Sequence, residues 1–359
     1  MNPIPSPTPT FAPVATSADV AKLAGVSRTT VSFVLNDRKG MAISDATRQK
    51  VLDAAAALGY TPNVAAQMLA RGSAATVGLV IPKLSHLYVD VFLSQLVASV
   101  NEACHRCGLK LLIESTEDEG REPGGFVNLV KGRHIDGLIV CNPREEEHAH
   151  LTSLAEAGIP LVVFGVGHPE LDAYTTLGND TYASAGLVMR HLIGLGHRDI
   201  AHIGFASSEF FAVNDRSRGW HEAVVAAGCP HADALFAYGD LSADSGYAAM
   251  QLILSRGKPF TALFAGNDTL AFGAMRALRE AGLRIPQEVA VVGYDDIPLA
   301  AYADPPLTTI HSDPARHGQI AMDLLCKQIG ASAANRPEPV HHSEPVELVV
   351  RASCGASRR

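Results

Sequence analysis

Long apolar runs are missing from this sequence of 359 residues. No uncharged apolar stretch reaches about 18 residues, so no segment is expected to span a membrane. The first fifteen residues, MNPIPSPTPTFAPVA, contain five prolines but no Lys, no Arg and no apolar block, so both parts of a secretory leader are absent. We therefore expect residues 1–15 to form a disordered tail, residues 355–359 to form a C-terminal tail, and the protein to be cytoplasmic.

Cysteine and the usual metal-binding patterns are also sparse. Of the six cysteines, the only close pair is Cys104 and Cys107, and it ends a helical pattern instead of beginning a helix, where a reactive thiol is expected. No second pair completes a zinc site, and His341 with His342 has no companion ligands at helical or loop spacing. The sequence predicts no metal and no cofactor.

The usual motifs of enzymes are missing as well. GVG at Gly165 to Gly167 follows a strand but lacks the third glycine of a dinucleotide loop, and neither a phosphate-binding Gly-Lys-Ser/Thr loop nor a nucleophile elbow occurs. Asp295 and Asp296 can be taken as a general acid and base pair, which keeps an enzyme on an α/β fold as an alternative to a binding protein. We predict no catalytic residues.

Charge is distributed unevenly along the chain. The formal net charge is −8, yet residues 16–73 contain seven basic and four acidic residues, a net of +3 that leaves −11 for the remainder. A small basic segment beside an acidic body is compatible with a DNA-binding head.

The basic segment begins with the pattern of a helix. Thr16 and Asp19 can satisfy the free amides of a helix start reciprocally. Val20, Leu23 and Ala24 follow at the spacing that forms one apolar face.

A second helix follows after a short turn. Gly25 ends the first helix, Ser27 is placed to cap the next, and the small Ala21 fits the crossing of the two, which is the arrangement of a helix-turn-helix. The inward positions are Val26, Val31, Val34 and Leu35. The outward positions are Arg28, Thr29, Ser32, Phe33 and Asn36.

A third helix is predicted from Ser44 to the stop at Gly59. After Pro62, the segment NVAAQMLARG has a plausible cap in Asn63 and a terminator in Gly72. So short a helix is unstable by itself, because nucleation costs more than its few hydrogen bonds return. We expect it to fold only when something holds it.

From residue 75 onward, short apolar strands alternate with helices. The first series of strands is TVGLVIP, KLLIES, DGLIVC and PLVVFG, and after TTLGND a second series follows with IAHIGF, LFAYGD, ALFAGN and VAVVGYDD. Such alternation predicts right-handed crossovers in parallel sheets. Two series predict two similar α/β lobes, with a ligand in the cleft beyond the carboxyl ends of the strands.

Three N-terminal stretches, ADVAKLAGVSRTTVSFVLN, ISDATRQKVLDAAAALGYTPN and AAQMLARG, together resemble the head of the lactose/galactose repressor (LacI/GalR) family of bacterial transcription regulators. The resemblance implies a second helix that enters the major groove. It also implies a hinge helix that orders on DNA and pushes a leucine, here Leu69, into the minor groove at the centre of a palindromic operator. The DNA-contacting residues implied are Ser27, Arg28, Thr29, Thr30, Ser32, Phe33, Asn36, Asn63 and Leu69.

These residues are not equivalent in what they can read. Arg28 and Thr29 lie in the first turn of the recognition helix, which reaches base edges in this docking, whereas Ser32 and Asn36 are better suited to phosphate or cap contacts. Phe33 departs from the family, which usually has an arginine there. Its ring can lie on a thymine methyl or a sugar edge, or it can pack on the third helix, and the sequence leaves both open.

The body resembles the effector domain of the same family, which has the periplasmic sugar-binding-protein fold with three crossovers between its lobes. The matching stretches are HLIGLGHRDIAHIG, RSRGW, TALFAGNDTLAFGAMRAL and VAVVGYDDIPLAAYADPPLTTI. By position, the resemblance implies that Arg216 clamps the effector and that Asp295 supplies a carboxylate for its hydroxyl groups. The effector-binding residues implied are Tyr88, Arg216, Leu241, Asn267, Asp268 and Asp295.

Two departures from the family concern the effector. Gly165 stands where the family often has an aspartate, and LSHLYVD replaces the usual NPFF-like stretch, which places His86 near the mouth of the cleft. A sugar is the commonest effector of the family, and these departures leave its identity open. The other alternative, a periplasmic binding protein, shares the body fold but needs a secretory leader in place of the head.

The predicted organisation has an all-α helix-turn-helix head at 16–62, a hinge helix at 63–73 and a two-lobed α/β effector domain with parallel sheets at 74–354. Lobe 1 is predicted at about 74–177 and 307–335, and lobe 2 at about 178–306 and 336–354. Because no leucine heptads follow ELVVRASCG, we expect a homodimer. The predicted function is that of a transcriptional repressor that binds double-stranded DNA and whose DNA affinity is controlled by a small molecule. The sequence is compatible with an effector that lowers this affinity and with one that raises it.

Overall fold

The computed structural model describes residues 15–35, 43–61, 73–116, 124–165, 172–332 and 335–356. These residues belong to two compact units, 1–73 and 74–359, and each is described by itself. The predictions for the tail before residue 15, for the hinge segment up to residue 72 and for residues 357–359 lie outside the described residues, as do Asn36, Asn63 and Leu69.

Three helices make up the described part of the N-terminal unit: α1 (Ser17–Ala24), α2 (Arg28–Leu35) and α3 (Asp45–Ala57). The predicted capping box is confirmed, because Thr16 Oγ1 accepts from the Asp19 amide while the Asp19 carboxylate accepts from the Thr16 amide. Gly25 ends α1 with a φ of 65°, a left-handed conformation that glycine adopts without steric cost.

The three helices close around a small apolar core. Its buried members are Val20, Ala21, Val31, Val34, Val51, Ala54 and Ala55. The inward positions predicted for α2 are confirmed, whereas Leu23 of the predicted α1 face is 56% exposed. The buried stripe of α1 centres on Val20, Ala21 and Ala24, and at 100° per residue Leu23 lies about 100° away from that centre.

Six strands form the first sheet of the body. In chain order they are β1 (Thr76–Ile81), β2 (Lys110–Ser115), β3 (Gly137–Cys141), β4 (Leu161–Phe164), β5 (Thr175–Gly178) and, much later, β11 (His341–Ser343). Across the sheet the order is β11-β5-β4-β3-β1-β2, and each pair of neighbours is parallel.

The second sheet repeats this plan. Its strands are β6 (Ile200–Gly204), β7 (Phe236–Tyr238), β8 (Ala262–Ala265), β9 (Ala290–Asp295), β10 (Thr308–His311) and β12 (Glu347–Val349). The order is β12-β10-β9-β8-β6-β7, in which β12 runs antiparallel to β10 and the other neighbours are parallel. The eight strands predicted in two series are all present.

Helices cover both sheets. Those of the first lobe are α4 (His86–Val89), α5 (Val91–Arg106), α6 (Val127–Lys131), α7 (His148–Glu156) and α12 (Pro314–Ile329). Those of the second lobe are α8 (Thr181–Gly194), α9 (Phe211–Ala226), α10 (Ala243–Ser255) and α11 (Asp268–Glu280). Within the described ranges, no helix is both long enough and apolar enough to cross a membrane.

The chain passes between the lobes three times, as the resemblance implied. It crosses between β5 and α8, between β10 and α12, and between β11 and β12. The predicted lobe boundaries were wrong at two strands, because β10, assigned to lobe 1, pairs with β9 in the second sheet, and β11, assigned to lobe 2, pairs with β5 in the first. Strands of three or four residues carry too little periodicity to show which sheet they join.

Candidate functional site

The first turn of α2 is fixed by its own cap. Ser27 Oγ accepts a hydrogen bond from the Thr30 amide at 3.1 Å and lies 2.9 Å from the Thr30 hydroxyl. Ser27 is therefore a helix cap, as predicted, and its side chain faces the helix start. The cap holds the following Arg28 and Thr29 in the first turn, where both are exposed.

The outer face of α2 is accessible where the sequence placed it. Arg28, Thr29 and Ser32 are exposed, while Thr30 and Phe33 are half-buried. The two buried valines of α2 point the other way, into the core of the unit. The exposed face can thus enter a DNA groove with Arg28 as a long hydrogen-bond donor, and Phe33 is neither a fully buried core residue nor a fully exposed one.

A cavity lies between the two lobes of the body, at the carboxyl ends of the strands of both sheets. Four of the six residues predicted to bind an effector line it, namely Arg216, Leu241, Asn267 and Asp295. The crossovers of the chain border the same cavity, through Asn179 and Ser312.

Arg216 reaches the cavity from α9 and is buried, with 6% of its surface exposed. Its guanidinium carbon lies 3.4 Å from the centroid of the Tyr294 ring and 4.6 Å from that of Phe205. One terminal nitrogen donates to the carbonyl of Gly266, whereas Nε has no hydrogen-bond partner within the described part of the chain. A buried guanidinium held between rings, with a donor to spare, is suited to a ligand oxygen.

Asn267 and Asp295 border the cavity in different ways. Asn267 caps α11, since its Oδ1 accepts from the Leu270 amide at 2.8 Å while its Nδ2 donates to the Leu241 carbonyl at 3.3 Å. Its amide is engaged on both sides, so Asn267 shapes the wall of the cavity. Asp295 ends β9 with a φ of 108°, a strained value for a residue other than glycine and one that concentrates at functional sites.

Asp268 is buried behind the cavity and is not among the residues that line it. Its two carboxylate oxygens accept from the Thr309 hydroxyl at 2.6 Å and from the Ile297 amide at 2.9 Å. Burial raises the pKa of Asp268 to about 7. Asp268 therefore ties α11 to β10 and to the chain after β9.

Tyr88 also lies apart from the cavity lining. It is 81% exposed on the short helix α4. The residues that do reach the cavity from this stretch are Asp90 and Phe92, which lie two and four residues after Tyr88. Asp90 caps α5, since its carboxylate accepts from the Phe92 amide at 3.0 Å, and that cap directs it to the start of the helix.

Several lining residues were not predicted from the sequence. They include Asp90, Phe92, Asn142, Phe164, Asn179, Phe205, Tyr294 and Ser312. Asn142 follows β3 directly, and the rule that ligands bind beyond the ends of parallel strands applies to it. Its backbone is left-handed, with a φ of 45°, which asparagine tolerates better than most residues.

Gly165 leaves room for the side chain of Asn142. Gly165 follows β4 with a φ of 89°, and a Cβ atom there would collide with the side-chain oxygen of Asn142. Where the family often has an aspartate, at position 165, this chain therefore places the neutral side-chain amide of Asn142, from the end of the neighbouring strand β3.

Two carboxyl groups of different lobes interact across the cleft. Burial raises the pKa of Asp90 to about 6. Burial, followed by the charges of Asp90 and Asp268, raises the pKa of Asp295 well above its usual value, and Arg216 acts in the opposite direction. The closed cleft therefore favours the protonated form of this pair.

The three crossovers are joined by side-chain hydrogen bonds. Ser312 Oγ donates to Asn179 Oδ1 at 2.9 Å, and Asn179 Nδ2 donates to the carbonyl of Glu344 at 3.0 Å. Each of the three residues belongs to a different crossover. A ligand that touches Asn179 or Ser312 in the cavity therefore touches the hinge of the two lobes.

Further contacts join the lobes directly. Asp240, which follows β7, lies 3.1 Å from Lys83 Nζ and 3.2 Å from His86 Nε2. The Glu145 amide donates to the carbonyl of Glu209 at 2.9 Å. His86, predicted near the mouth of the cleft, is 4% exposed and meets Asp240 of the opposite lobe.

These contacts hold the cleft closed around a small space. The cavity measures about 60 Å³, which is room for a few water molecules.

Comparisons with known proteins agree with this architecture. The family described as bacterial regulatory proteins, lacI family, matches residues 16–63, and the family described as periplasmic binding protein-like domain matches residues 189–354. The HTH-type transcriptional regulator CelR of Thermobifida fusca is 35% identical over 337 residues, which cover 93% of this chain and 96% of CelR.

Solved structures extend the similarity to three dimensions. A crystal structure of the lac repressor dimer bound to operator and the anti-inducer ONPF has a TM-score of 0.81 at 31% identity, over 95% of this chain and 99% of that one. A complex of the transcriptional regulator CelR with cellobiose has a TM-score of 0.68 at 33% identity, over 94% and 99% of the two chains. With a lacI head matched at its N-terminus and identity to CelR along nearly its whole length, this chain belongs to the lacI family of bacterial regulatory proteins and is a DNA-binding transcriptional regulator.

Proposed function

We propose that this regulator is a cytoplasmic homodimeric repressor, and that an uncharged polyhydroxylated molecule of the sugar class sets its affinity for a palindromic operator. The observation that carries the proposal is the set of groups around the cavity, which combines Arg216, Asp90, Asp295 and Asn142 with aromatic rings. Carboxylate and guanidinium groups bind neighbouring hydroxyls through paired hydrogen bonds in a water-poor cleft. The rings cover the apolar faces of a sugar.

The balance of charge selects against anionic ligands. Among the described residues, the cavity lining holds two carboxyl groups, those of Asp90 and Asp295, and one guanidinium, that of Arg216. The carboxyl group of Asp268 lies close behind the lining. Once these carboxyl groups have ionised, above their raised pKa values, a phosphate or carboxylate ligand meets like charge in a desolvated site, which is costly. A neutral polyol instead brings hydroxyl donors for those carboxylates. The solved complex of CelR with cellobiose supports the same ligand class.

The crossover hydrogen bonds provide the connection between ligand and operator. A ligand beside Asn179 and Ser312 changes the bonds that tie the crossovers together, so the angle between the lobes responds to it. β1 begins the first lobe directly after the predicted hinge segment 63–73, and rotation of that lobe in a dimer alters how the two hinge segments meet. The states with and without ligand then differ in operator affinity. The wedge role of Leu69 in that hinge stays a prediction.

We propose further that the cleft binds its ligand without chemical turnover. Asp295, the first residue of the suspected acid and base pair, lines the cavity, whereas Asp296 is engaged by Arg351 at 2.6 Å and by His311 at 3.1 Å. Incubation with candidate sugars should return them unchanged by chromatography. Any product formed at a rate that depends on Asp295 would contradict this part of the proposal.

A footprint on the DNA flanking the gene, paired with a thermal-shift panel, tests the function directly. The footprint should show a protected palindrome, and the panel of neutral sugars, sugar phosphates and nucleobases should raise the melting temperature for neutral sugars. The absence of a protected palindrome would contradict the proposed binding to a palindromic operator. A rise in melting temperature with sugar phosphates alone would contradict the proposal that the ligand is a neutral sugar.

Raising the pH is expected to open the empty cleft. The raised pKa values of Asp90 and Asp295 belong to the closed form, so closure is favoured while both are protonated and is lost as the pH rises through about 6, the value for Asp90. Small-angle scattering of the ligand-free protein should show a larger radius of gyration at about pH 7.5 than at about pH 5. Asp90→Asn keeps a side-chain oxygen for the α5 cap and should flatten the change, and an unaltered profile in that variant would disprove this explanation.

Loss of the contact between Asp240 and the first lobe is expected to speed ligand exchange. Asp240 is half exposed, and such ion pairs contribute about 0–1 kcal/mol, so Asp240→Asn should accelerate dissociation by up to about fivefold. Stopped-flow measurement is suited to the rate. Asp244→Asn, which removes the same charge from an exposed site on α10, is the matched control, and equal effects of the two variants would refute the role of Asp240.

Phe33→Arg is expected to change base preference at one operator position if the half-buried ring meets DNA. An arginine gains two hydrogen bonds to guanine, at roughly 1–3 kcal/mol of discrimination. Binding to a library of operators with each position varied measures the preference. An unchanged preference at every position assigns Phe33 to the scaffold of the head.

A further inference from the structure

Two cysteines that are 219 residues apart in the sequence meet on the first lobe. Cys107 directly follows α5, Cys326 lies in the last turn of α12, and their Sγ atoms are 3.6 Å apart. Both are free thiols, Cys107 exposed and Cys326 half-buried. The sulfur atoms are in contact, and a disulfide of about 2.05 Å requires them to approach by less than about 2 Å.

The two helices hold this pair in place. One turn before Cys107, Cys104 Sγ lies 3.7 Å from Met322 Sδ of α12. Further along, Ser99 Oγ in the middle of α5 donates to the carbonyl of Ala315 in the first turn of α12. The contact between the thiols is therefore part of a helix packing that extends along both elements.

We infer that Cys107 and Cys326 form a reversible intramolecular disulfide when the protein meets a two-electron oxidant of the peroxide class. The Cys107 thiolate attacks one oxygen of hydrogen peroxide, the O–O bond breaks, hydroxide leaves, and Cys107 becomes a sulfenic acid. The Cys326 thiolate then attacks the Cys107 sulfur, the S–S bond forms, and the S–O bond breaks with loss of a second hydroxide. The two thiols give up two electrons and two protons, and one peroxide becomes two waters. A dithiol reductant restores both thiols by exchange.

Exposure decides which thiol reacts first. The exposed Cys107 is the one that peroxide reaches. Burial, with the neighbouring thiol Cys107, raises the pKa of Cys326 to about 12, so the second step is limited by the small thiolate fraction and should become faster as the pH rises. Both cysteines lie at the carboxyl ends of helices, away from the helix N-termini that activate thiols, so oxidation is slower than in dedicated peroxide sensors.

The disulfide joins the ends of α5 and α12 that are remote from the cleft. At its other end α5 begins beside Asp90 and Phe92, and α12 follows the crossover that contains Ser312. A bond between chain segments so far apart in sequence restricts the unfolded chain strongly, and the oxidised protein should therefore melt at a temperature several degrees higher.

Peptide mapping of the full-length protein tests the inference. The protein is treated with hydrogen peroxide at neutral and at alkaline pH, its free thiols are alkylated, and it is digested without reductant. We expect two of the six thiols to be lost, one peptide linking Cys107 to Cys326, faster loss at alkaline pH, and full recovery with dithiothreitol.

Single variants separate this pair from other thiol chemistry. Cys326→Ser should abolish the linked peptide and leave a Cys107 sulfenic acid that dimedone traps, whereas Cys229→Ser, at a buried site, should leave the linkage intact. A link between Cys104 and Cys107, a link between two subunits, or retention of all six thiols in the parent protein overturns the inference.

Discussion

Arg216→Ala is expected to weaken effector binding by roughly 100-fold or more, because hydrogen bonds to a charged group contribute about 1.5–3 kcal/mol each and a guanidinium can make two of them to neighbouring hydroxyls. Arg216 is buried between two rings and holds a donor that nothing else in the described part of the chain occupies. The operator affinity of the ligand-free protein should stay unchanged, since α2 belongs to the other unit. Calorimetry with the effector and a DNA titration measure the two quantities.

Arg218→Ala is the matched control for this experiment. Arg218 lies on the same helix, two residues along, and is exposed and paired with Asp215 at 2.9 Å. Its loss should leave effector affinity within about twofold, because surface pairs contribute little. A comparable loss in both variants would show that the cleft is not the effector site, and Arg216→Lys, which keeps charge and length, guards against simple misfolding.

Arg28→Ala is expected to have the largest effect on operator binding. Each Arg28 that pairs with a guanine contributes roughly 1–3 kcal/mol, and a dimer on a palindrome uses two copies, so specific affinity should fall by about 30-fold to 10⁴-fold. Non-specific affinity should fall much less, because it depends on the number of phosphate contacts. Fluorescence anisotropy with operator and with unrelated DNA at the same salt concentration measures both.

Lys22→Ala supplies the comparison for Arg28. Lys22 is an exposed cation in the last turn of α1 and lies off the recognition helix. If it touches DNA, it touches phosphate, so its loss should lower specific and non-specific affinity by the same factor. If Arg28→Ala also lowered specific and non-specific affinity by the same factor, Arg28 would not be a residue that reads bases.

The sequence predicted the head well because its information is local. The capping box of Thr16 and Asp19, the glycine at position 25 and the Ser27 cap each act over three or four residues, and all are present. The single failure in α1, Leu23, arose because three apolar residues do not define where the centre of a buried stripe lies. The strands of the body were equally readable, since each is a short apolar run between turns.

The cleft was predictable in part. Arg216, Leu241, Asn267 and Asp295 line it as the family match implied, whereas Asp268 is turned away by its bonds to Thr309 and Ile297. Tyr88 lies outside the cavity lining, and from the same stretch Asp90 and Phe92 reach the cavity instead. A match by position cannot detect this difference, because exposure depends on how the helix start is capped.

Contacts between distant segments could not be predicted from the sequence. Asp240 meets His86 across 154 residues, and Cys107 meets Cys326 across 219. Nothing in the local pattern of either partner marks the other, because such pairs are set by the packing of whole elements. The short strands β10 and β11 were assigned to the wrong lobes for the same reason.

Reciprocal titration tests the central claim, that one ligand in the cleft and one operator on the head are linked through the same protein. Operator affinity is measured with and without saturating effector, and effector affinity with and without saturating operator. Linkage requires the two ratios to be equal, and a coupling of about 1–3 kcal/mol gives a factor between about 5 and 150. Equal nonunit ratios are the predicted result, and an effector that binds with the same affinity whether or not operator is present would contradict it.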